Sequence, residues 1–407
     1  MGQSSEPGSY LGVTFQPNKH EPVHRWYPYV EGFSAEFVRR ALDEFGVHRG
    51  RILDPFGGCG TTAVVGTMRG LRSISIDINP FLCFVSRVKS NLNVELAPIQ
   101  RAFLELVTKL FKPDLDSIPS SILSPVFANK TYFDHDALSK IKFLKHEIYS
   151  IKSPEVRDVF ALALASILVK VSRLKRAPDL KYAPRARKHD AFHAFIGAMG
   201  IIMQDLITTR IRRRATAKII NDNAIRPQKL NGRYNNSFDI VITSPPYLNG
   251  TNYYRNTKLE LWVLDYIAAD EGLSSYRREA VTASINTTQM STGLVSRFPY
   301  VQRAVDRIAR NAYDRRIPVM VTGYFNEMAE CLKTIYRVLR PGRLLVLVIG
   351  DSFFGDTHIP TDRFLIRIGA EIGFELVKRR NARKRRSRGG FELRESVLVL
   401  RKASGKA

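Results

Sequence analysis

The chain has 407 residues, 44% hydrophobic and 25% charged. That composition excludes wholesale disorder and leaves room for one large domain with an insertion, or for two to three domains. Lysine and arginine number 63 against 38 acidic residues, a formal charge of +25 that points to a polyanionic partner, most simply nucleic acid. Three cysteines (Cys59, Cys83 and Cys331), none in a C-x-x-C pair, exclude a disulfide framework and argue against structural zinc, so no metal site is expected.

The first residues lack a basic segment followed by an apolar one. The longest apolar stretch, Val159 to Val169, stops at Lys170, short of the roughly 20 residues a membrane span needs. The expectation is a soluble, cytoplasmic chain with no membrane contact.

Residues 1–20, rich in Gly, Pro and Ser, read as a flexible N-terminal arm. A helix is expected over Phe33–Ala41 with Ser34 as its N-cap. Arg51–Phe56 reads as a buried strand ending in a glycine cluster, followed by a helix over Thr61–Met68. Ser73–Ile78 alternates as a second strand, and Asn79-Pro80 opens another helix. Residues 97–212 break the rhythm. Helical patterns cover Pro98–Phe111, Asp136–Ile151, Pro154–Leu174 and His189–Arg212, with a basic, aromatic loop at Arg173–Lys188.

Strands then resume at Ala217–Asn221 and Phe238–Thr243. Helices follow at Asn256–Tyr266 and Asn326–Leu339, a strand at Leu344–Ile349, and a helix at Asp362–Ile372. Phe374–Lys378 and Glu395–Leu400 close the chain with no helix between them, so one of that pair should run antiparallel. Seven strands with intervening helices predict an α/β fold: a doubly wound, mostly parallel sheet with helices on both faces. Residues 21–96 and 213–402 are expected to form that domain, and 97–212 a helical insertion, a candidate target-recognition or DNA-binding element.

Asp54-Pro-Phe-Gly-Gly-Cys-Gly-Thr-Thr62 sits where strand one becomes helix one, a place where glycines permit tight turning and close ligand approach. Asp77 ends strand two, where a carboxylate can accept from ribose hydroxyls. Gly58-Cys-Gly-Thr-Thr-Ala63 matches the dinucleotide G-x-G-x-x-A pattern. Asp54, however, would repel a pyrophosphate and favour a cofactor with a cationic end, such as S-adenosylmethionine with its ammonium and sulfonium.

The most specific signal is Phe238-Asp-Ile-Val-Ile-Thr-Ser-Pro-Pro-Tyr247, an apolar strand that delivers Ser244-Pro245-Pro246-Tyr247 at its carboxyl end. Two prolines stiffen the segment and remove two donors. Ser244 and backbone carbonyls can accept from an amino group, and Tyr247 offers a face on which a base stacks with about 1–3 kcal/mol.

Together these segments resemble the amino-group (N4-cytosine/N6-adenine) DNA methyltransferases. Asp54–Thr62 resembles that family's D-P-F-x-G-S-G-T cofactor motif with Cys59 in place of Ser. Ser244–Tyr247 resembles its [DNS]-P-P-[YFW] catalytic motif, in the Ser form usual among N4-cytosine enzymes. His24–Tyr29 with Phe33 resembles the segment lining the methionine end, Ile220–Ala224 the acidic turn at the adenine, and Arg394–Arg401 the closing strand. The resemblance covers about residues 22–95 and 216–402.

It implies a Rossmann-like class I methyltransferase with S-adenosylmethionine held by Tyr27, Asp54, Phe56, Gly58, Gly60, Thr61, Asp77, Asn79, Asp222 and Asn223. Ser244, Pro245, Pro246 and Tyr247 are then catalytic. The implied substrate is double-stranded DNA with the target base flipped out, most directly cytosine N4. Direct SN2 transfer is expected, since the chain has no Pro-Cys dipeptide for a covalent C5 mechanism.

Adenine N6, guanine N2 in RNA, a nucleic-acid binder with a dead pocket and a dehydrogenase stand as alternatives. The family also implies a cognate restriction or defence component and a nucleoid-associated location; oligomeric state stays open. Three basic clusters, Arg173–Lys188, Arg210–Arg214 and Lys378–Arg388, are candidate phosphate contacts or solvated faces. Asn286–Gln289 is a base-reading candidate or a polar loop.

Overall fold

A computed structural model describes residues 12–125, 131–177, 179–184, 189–209, 215–230, 232–248, 255–268, 280–285, 295–386 and 390–404. The first half runs α1 (Ala35–Glu44), β1 (Arg51–Asp54), α2 (Thr61–Met68), β2 (Arg72–Asp77) and α3 (Pro80–Ser90). Two starts follow from side-chain caps. Ser34 Oγ accepts from Phe37 N at 3.2 Å to open α1, and Asn79 Oδ1 accepts from Phe81 N at 3.1 Å to open α3.

Helices α4 (Leu96–Leu110), α5 (His135–Tyr149), α6 (Pro154–Val171) and α7 (Ala191–Thr208) follow. Helix α6 is apolar on nearly every side because α3, α5 and α7 all pack around it. Its core is continuous with that of α3 and the N-terminal segment. Among the described residues α7 is the one helix long and apolar enough, by length and composition, to cross a membrane. It packs on α6, and its buried Asp205 accepts from Val23 N at 2.8 Å, Trp26 Nε1 at 2.9 Å and Arg25 Nε at 3.1 Å. That carboxylate docks the N-terminal segment on the helical layer.

The remaining elements are β5 (Ala217–Asn221), β6 (Phe238–Thr243), α8 (Lys258–Val263), α9 (Pro299–Asn311), α10 (Arg316–Val338) and β7 (Leu339–Gly350), with the small hairpin β8 (Ser352–Phe354) and β9 (Thr357–Ile359). Helix α11 (Thr361–Ile372) and strands β10 (Phe374–Arg386) and β11 (Glu392–Lys402) complete the chain. Seven strands form one sheet in the order β10-β11-β7-β6-β1-β2-β5, all parallel except β11, which is antiparallel to both its neighbours. β3 (Leu174–Ala177) and β4 (Asp179–Tyr182) form a separate hairpin.

The chain winds outward from β1 through β2 to β5, then crosses to β6 on the other side of β1. The β1/β6 boundary is therefore the topological switch point, where an open α/β sheet leaves a crevice at its carboxyl edge. Ile52 pairs with Ile240 and Leu53 with Val241, so Asp54 and Ser244 leave the sheet on adjacent strands at that crevice.

Several expectations need correction. The segment from Arg173 is not all loop: Leu174 is buried against α6 and Arg176 reaches a buried carboxylate on α8, and these two anchors hold the hairpin. Residues 12–20 are not a loose arm, because Phe15 and Asn18 are buried and Asn18 bonds Phe33 O and Ala35 N. Helix α10 begins ten residues earlier than its apolar pattern implies, and α9 has no counterpart among the expected elements. Strand β10 runs eight residues past Lys378, through the arginines that composition placed near a turn.

Candidate functional site

A cavity of 340 Å³ opens at the switch point, and both loop tips contribute to its wall. On one side stand Asp54, Phe56, Gly58, Thr61, Asp77 and Asn79; on the other, Ser244, Pro245, Pro246 and Tyr247. Asn223 joins the wall from the turn after β5.

The first side is held by its own hydrogen bonds. Asp54 Oδ2 accepts from Thr62 Oγ1 at 2.8 Å, and Oδ1 from Thr243 Oγ1 at 2.7 Å and Phe56 N at 3.1 Å. One buried carboxylate thus ties β1, α2 and β6 together. Asp77 Oδ2 accepts from Gly58 N at 2.9 Å and Oδ1 from Asn79 N at 2.8 Å, so it shapes the glycine loop while keeping acceptor capacity toward the cavity. Burial pushes both carboxyls up to about 6, against the hydrogen bonds that favour their ionised forms. Asn79 is spent on capping α3 and on Thr257 Oγ1 at 2.9 Å.

Gly60 shows why the loop needs glycine. Its φ is +84°, and an added Cβ would lie 2.8 Å from the Ser86 Cα on α3. The helix α2 begins at the next residue, its first turn facing the cavity at Thr61.

The second side is less internally bonded. Among the described residues neither Ser244 Oγ nor the Pro245 carbonyl has a protein hydrogen-bond partner. The ring of Tyr247 lies against Gly350 at the end of β7, where an added Cβ would meet ring carbons at 2.9 and 3.1 Å and Arg385 Nη2 at 2.7 Å.

Three residues expected at the cofactor stand elsewhere. Tyr27 is fully buried behind the wall. Its hydroxyl donates to Glu260 Oε1 at 2.7 Å and accepts from Arg176 Nη2 at 3.1 Å, and burial holds the phenol well above its usual range. Tyr29, two residues on, takes the wall position and packs on Gly58. Asp222 folds back on its own turn, accepting from Asn223 N and Lys229 N at 2.8 Å each, and leaves the wall to Asn223. Gly60 sits one layer behind, at the N-cap of α2.

Other wall residues are not among those expected individually as cofactor or catalytic residues. Phe15, Glu31 and Phe33 close the first side, and Arg383, Arg385 and Glu395 of β10 and β11 close the second. Glu31 adds a third carboxylate to the end that holds Asp54 and Asp77. An anionic end of this kind fits a ligand with a positively charged head, and the N–H-rich glycine loop fits close contact with its backbone-like part.

The basic strand differs from its sequence reading. Lys378 and Arg380 pair with Glu44 at 2.9 and 3.3 Å, and Arg379 pairs with Asp362. Arg383 and Arg385 pair with Glu395 at 3.5 Å each, and Lys384 with Glu392 at 3.2 Å. Among the described residues, six of the seven cations from Lys378 to Arg386 pair with four carboxylates, so much of this charge is met within the chain. Arg210–Arg214 and Asn286–Gln289 lie outside the described residues.

Strand order, switch-point cavity and paired loop tips are those of the Rossmann-like class I methyltransferase fold. The comparisons are narrower. The chain is similar to the Type II methyltransferase M.BsoBI of Geobacillus stearothermophilus, 26% identical over 96% of this chain and 87% of the relative. It is similar also to M.AvaI of a Nostoc species, 25% identical over 96% and 88%.

This similarity runs through the helical segment 97–212 as well, which the motif resemblance left out; the chain as a whole resembles the amino-group methyltransferases. No family model matches. A SAM-dependent methyltransferase structure from Methanosarcina mazei overlays 89% of this chain and 97% of its own at 11% identity and a TM-score of 0.32.

Proposed function

We propose that this chain is a site-specific DNA methyltransferase that moves the methyl group of S-adenosylmethionine to the N4 amine of a flipped cytosine. The observation that carries the reading is the single cavity walled by Asp77 and the glycine loop on one side and by Ser244–Tyr247 on the other. The Type II methyltransferase relatives support a DNA substrate, and the charge of +25 supports a polyanionic one.

When bound, S-adenosylmethionine supplies an electrophilic methyl on sulfur. The residues around it divide the remaining work. Asp77 would accept from the ribose hydroxyls, Asn223 would meet the adenine and the glycine-loop amides the cofactor's chain, with Phe56 and Tyr29 beside them in the wall.

Across the cavity, Ser244 Oγ and the Pro245 carbonyl accept the two amine hydrogens of the base. Two acceptors set at that angle favour a tetrahedral nitrogen, which returns the lone pair from the ring for attack. The interaction is stronger in the transition state than in the ground state, which is the condition for acceleration. Tyr247 stacks on the ring and aligns nitrogen, methyl and sulfur. As the N–C bond would form, the S–C bond would break and the sulfur would leave as a neutral thioether; the methylated nitrogen, now cationic and acidic, would then lose its proton to solvent, so no strong base is needed beforehand.

Expression in a methylation-free host, followed by nucleoside mass spectrometry of DNA and RNA, tests the reading. N4-methylcytosine in DNA is expected. N6-methyladenine, N2-methylguanine in RNA, or no new nucleoside would each replace it with a different conclusion.

A further inference from the structure

The arginine end of the cavity has no part in the chemistry above, and its geometry is specific. Across the sheet, Gly350 of β7 pairs with Glu395 of β11, and Glu395 pairs with Arg383 of β10. Arg385 follows Arg383 on the same face of the strand.

Strand β10 carries two register shifts. Phe374 and Leu376 lie opposite Lys402 and Leu400; a first shift at Val377 then puts the odd-numbered Arg379, which pairs with Asp362, opposite Leu398 on the face toward α11. A register shift between Asn381 and Arg383 inserts one residue, Ala382, and exchanges the two faces. Beyond it Arg383 and Arg385 share the face of Glu395 and line the cavity. The second shift offsets the first, so Arg383 and Arg385 regain the face that alternation from Phe374 gives the odd-numbered residues.

Arg385 is held rather than loose. Nη2 donates to the Asp351 carbonyl at 2.9 Å, Nε lies 3.5 Å from Glu395 Oε1, and the guanidinium carbon is 5.7 Å from the centre of the Tyr247 ring. Glu395 is only 5% exposed and bridges both arginines. Arg385 Nε is buried and makes no hydrogen bond, and Nη1 has no partner among the described residues. The ammonium and sulfonium of the cofactor gain nothing from this end and are matched by Glu31, Asp54 and Asp77 in the same wall; only its carboxylate could pair with an arginine, and the cofactor titration below reads that directly. The donors therefore face the second substrate, beside the ring on which it stacks.

We propose that Arg385, positioned by Glu395, reads the acceptor edge of the flipped base, donating to N3 and O2 of cytosine while Ser244 and Pro245 hold its amine. On cytosine the amine carbon is followed by N3 and then by the O2 carbonyl, two acceptors in a row that match two parallel N–H groups. On adenine the atom after N1 is a C–H, so the second donor would be buried unpaired. The inference rests on the cytosine reading above and adds the residue that enforces it.

The test is a double-mutant cycle on a duplex carrying the modified site, once sequencing of methylated DNA has located it. The two changes are Arg385→Met in the protein and 3-deazacytosine, which lacks the N3 acceptor, at the target. Each alone is expected to lower kcat/KM about tenfold or more, and both together little further. S-adenosylmethionine affinity should stay within about twofold in the same variant, reporting an intact first side of the cavity.

Equal effects of the analogue on wild type and variant would overturn the assignment. So would a loss independent of the base and accompanied by a salt slope lower by about one, the mark of a phosphate contact. Should Arg385→Met fail to fold, wild type alone decides, because undiminished activity on 3-deazacytosine sinks the proposal. N6-methyladenine as sole product would overturn the parent reading together with this one. N4-methylcytosine without coupling would overturn the arginine alone.

Discussion

The two ends of the cavity are built on different plans. At the acidic end every polar group has an internal duty. Asp54 ties three elements, Asp77 clamps the glycine loop, and Asn79 caps a helix and bonds Thr257. At the basic end Ser244 Oγ and Arg385 Nε have no hydrogen bonds among the described residues; Arg385 is held through Nη2 to the Asp351 carbonyl and by Glu395, and it packs with Tyr247 on the bare face of Gly350. The first plan suits a cofactor that is the same at every turnover. The second suits a substrate that must enter, be held at the transition state and leave.

One glycine at each end offers the sharpest way to break this comparison. Gly60→Ala sets a side chain at φ +84° and 2.8 Å from backbone, so it should cost about 3 kcal/mol of stability and abolish cofactor binding. Chemical denaturation with S-adenosylmethionine titration measures both. Gly350→Ala meets only side chains, Tyr247 and Arg385, which can shift. It should leave stability and cofactor affinity nearly unchanged and lower turnover. Tyr247→Ala should lower it further, about 10- to 100-fold, the worth of one stacked base. If both glycine variants merely unfold the protein, the contrast between the two ends is wrong.

A smaller effect follows from charge. Asp54 and Asp77 titrate at about 6 in the folded chain, against about 4 unfolded. The native state therefore binds protons more readily, and the associated stability is fully present below pH 4 and is lost as pH rises through 6. Binding of a cationic ligand needs the ionised forms, so S-adenosylmethionine should bind about tenfold more weakly at pH 5 than at pH 7.5. Asp77→Asn should flatten that profile. Calorimetric titration across pH decides it. The apo protein should at the same time melt higher at pH 5 than at pH 7 if these two groups dominate its titration.

The smallest expected effect lies outside the cavity. Glu44→Gln releases Lys378 from its surface pair and should change stability by no more than about 0.5 kcal/mol. It should also tighten non-specific DNA binding at low salt, since the Lys378 ammonium becomes available to phosphate. Filter binding across salt concentrations reads this directly. Unchanged affinity would mean that the basic strand is a structural device alone.

Local signals in the chain account for much of the fold. Each of the seven sheet strands is legible in the sequence, β5 and β6 to the residue, because an apolar run bounded by turn residues needs no distant partner to be recognised. The two loop tips and the antiparallel closing strand follow in the same way. Less legible is which neighbour faces inward. Tyr29 rather than Tyr27, and Asn223 rather than Asp222, reach the wall, since a one-residue change of facing is decided by what packs behind. The hairpin at Leu174–Tyr182 escapes a sequence reading because Arg173–Lys188 is too basic and proline-broken to look like paired strands. Its anchors, α6 and Glu260, are distant in sequence.

By itself the amino-acid order determined the elements, their alternation and the residue types at two strand ends, all properties of neighbours along the chain. Only the tertiary structure decided that β1 and β6 are adjacent, that residues 13–16 line the cavity, and that two register shifts in β10 leave Arg383 and Arg385 facing it. Side-chain facing along a strand has a period of two residues. A single inserted residue therefore reverses it, and whether one is inserted depends on pairing with a strand elsewhere in the chain.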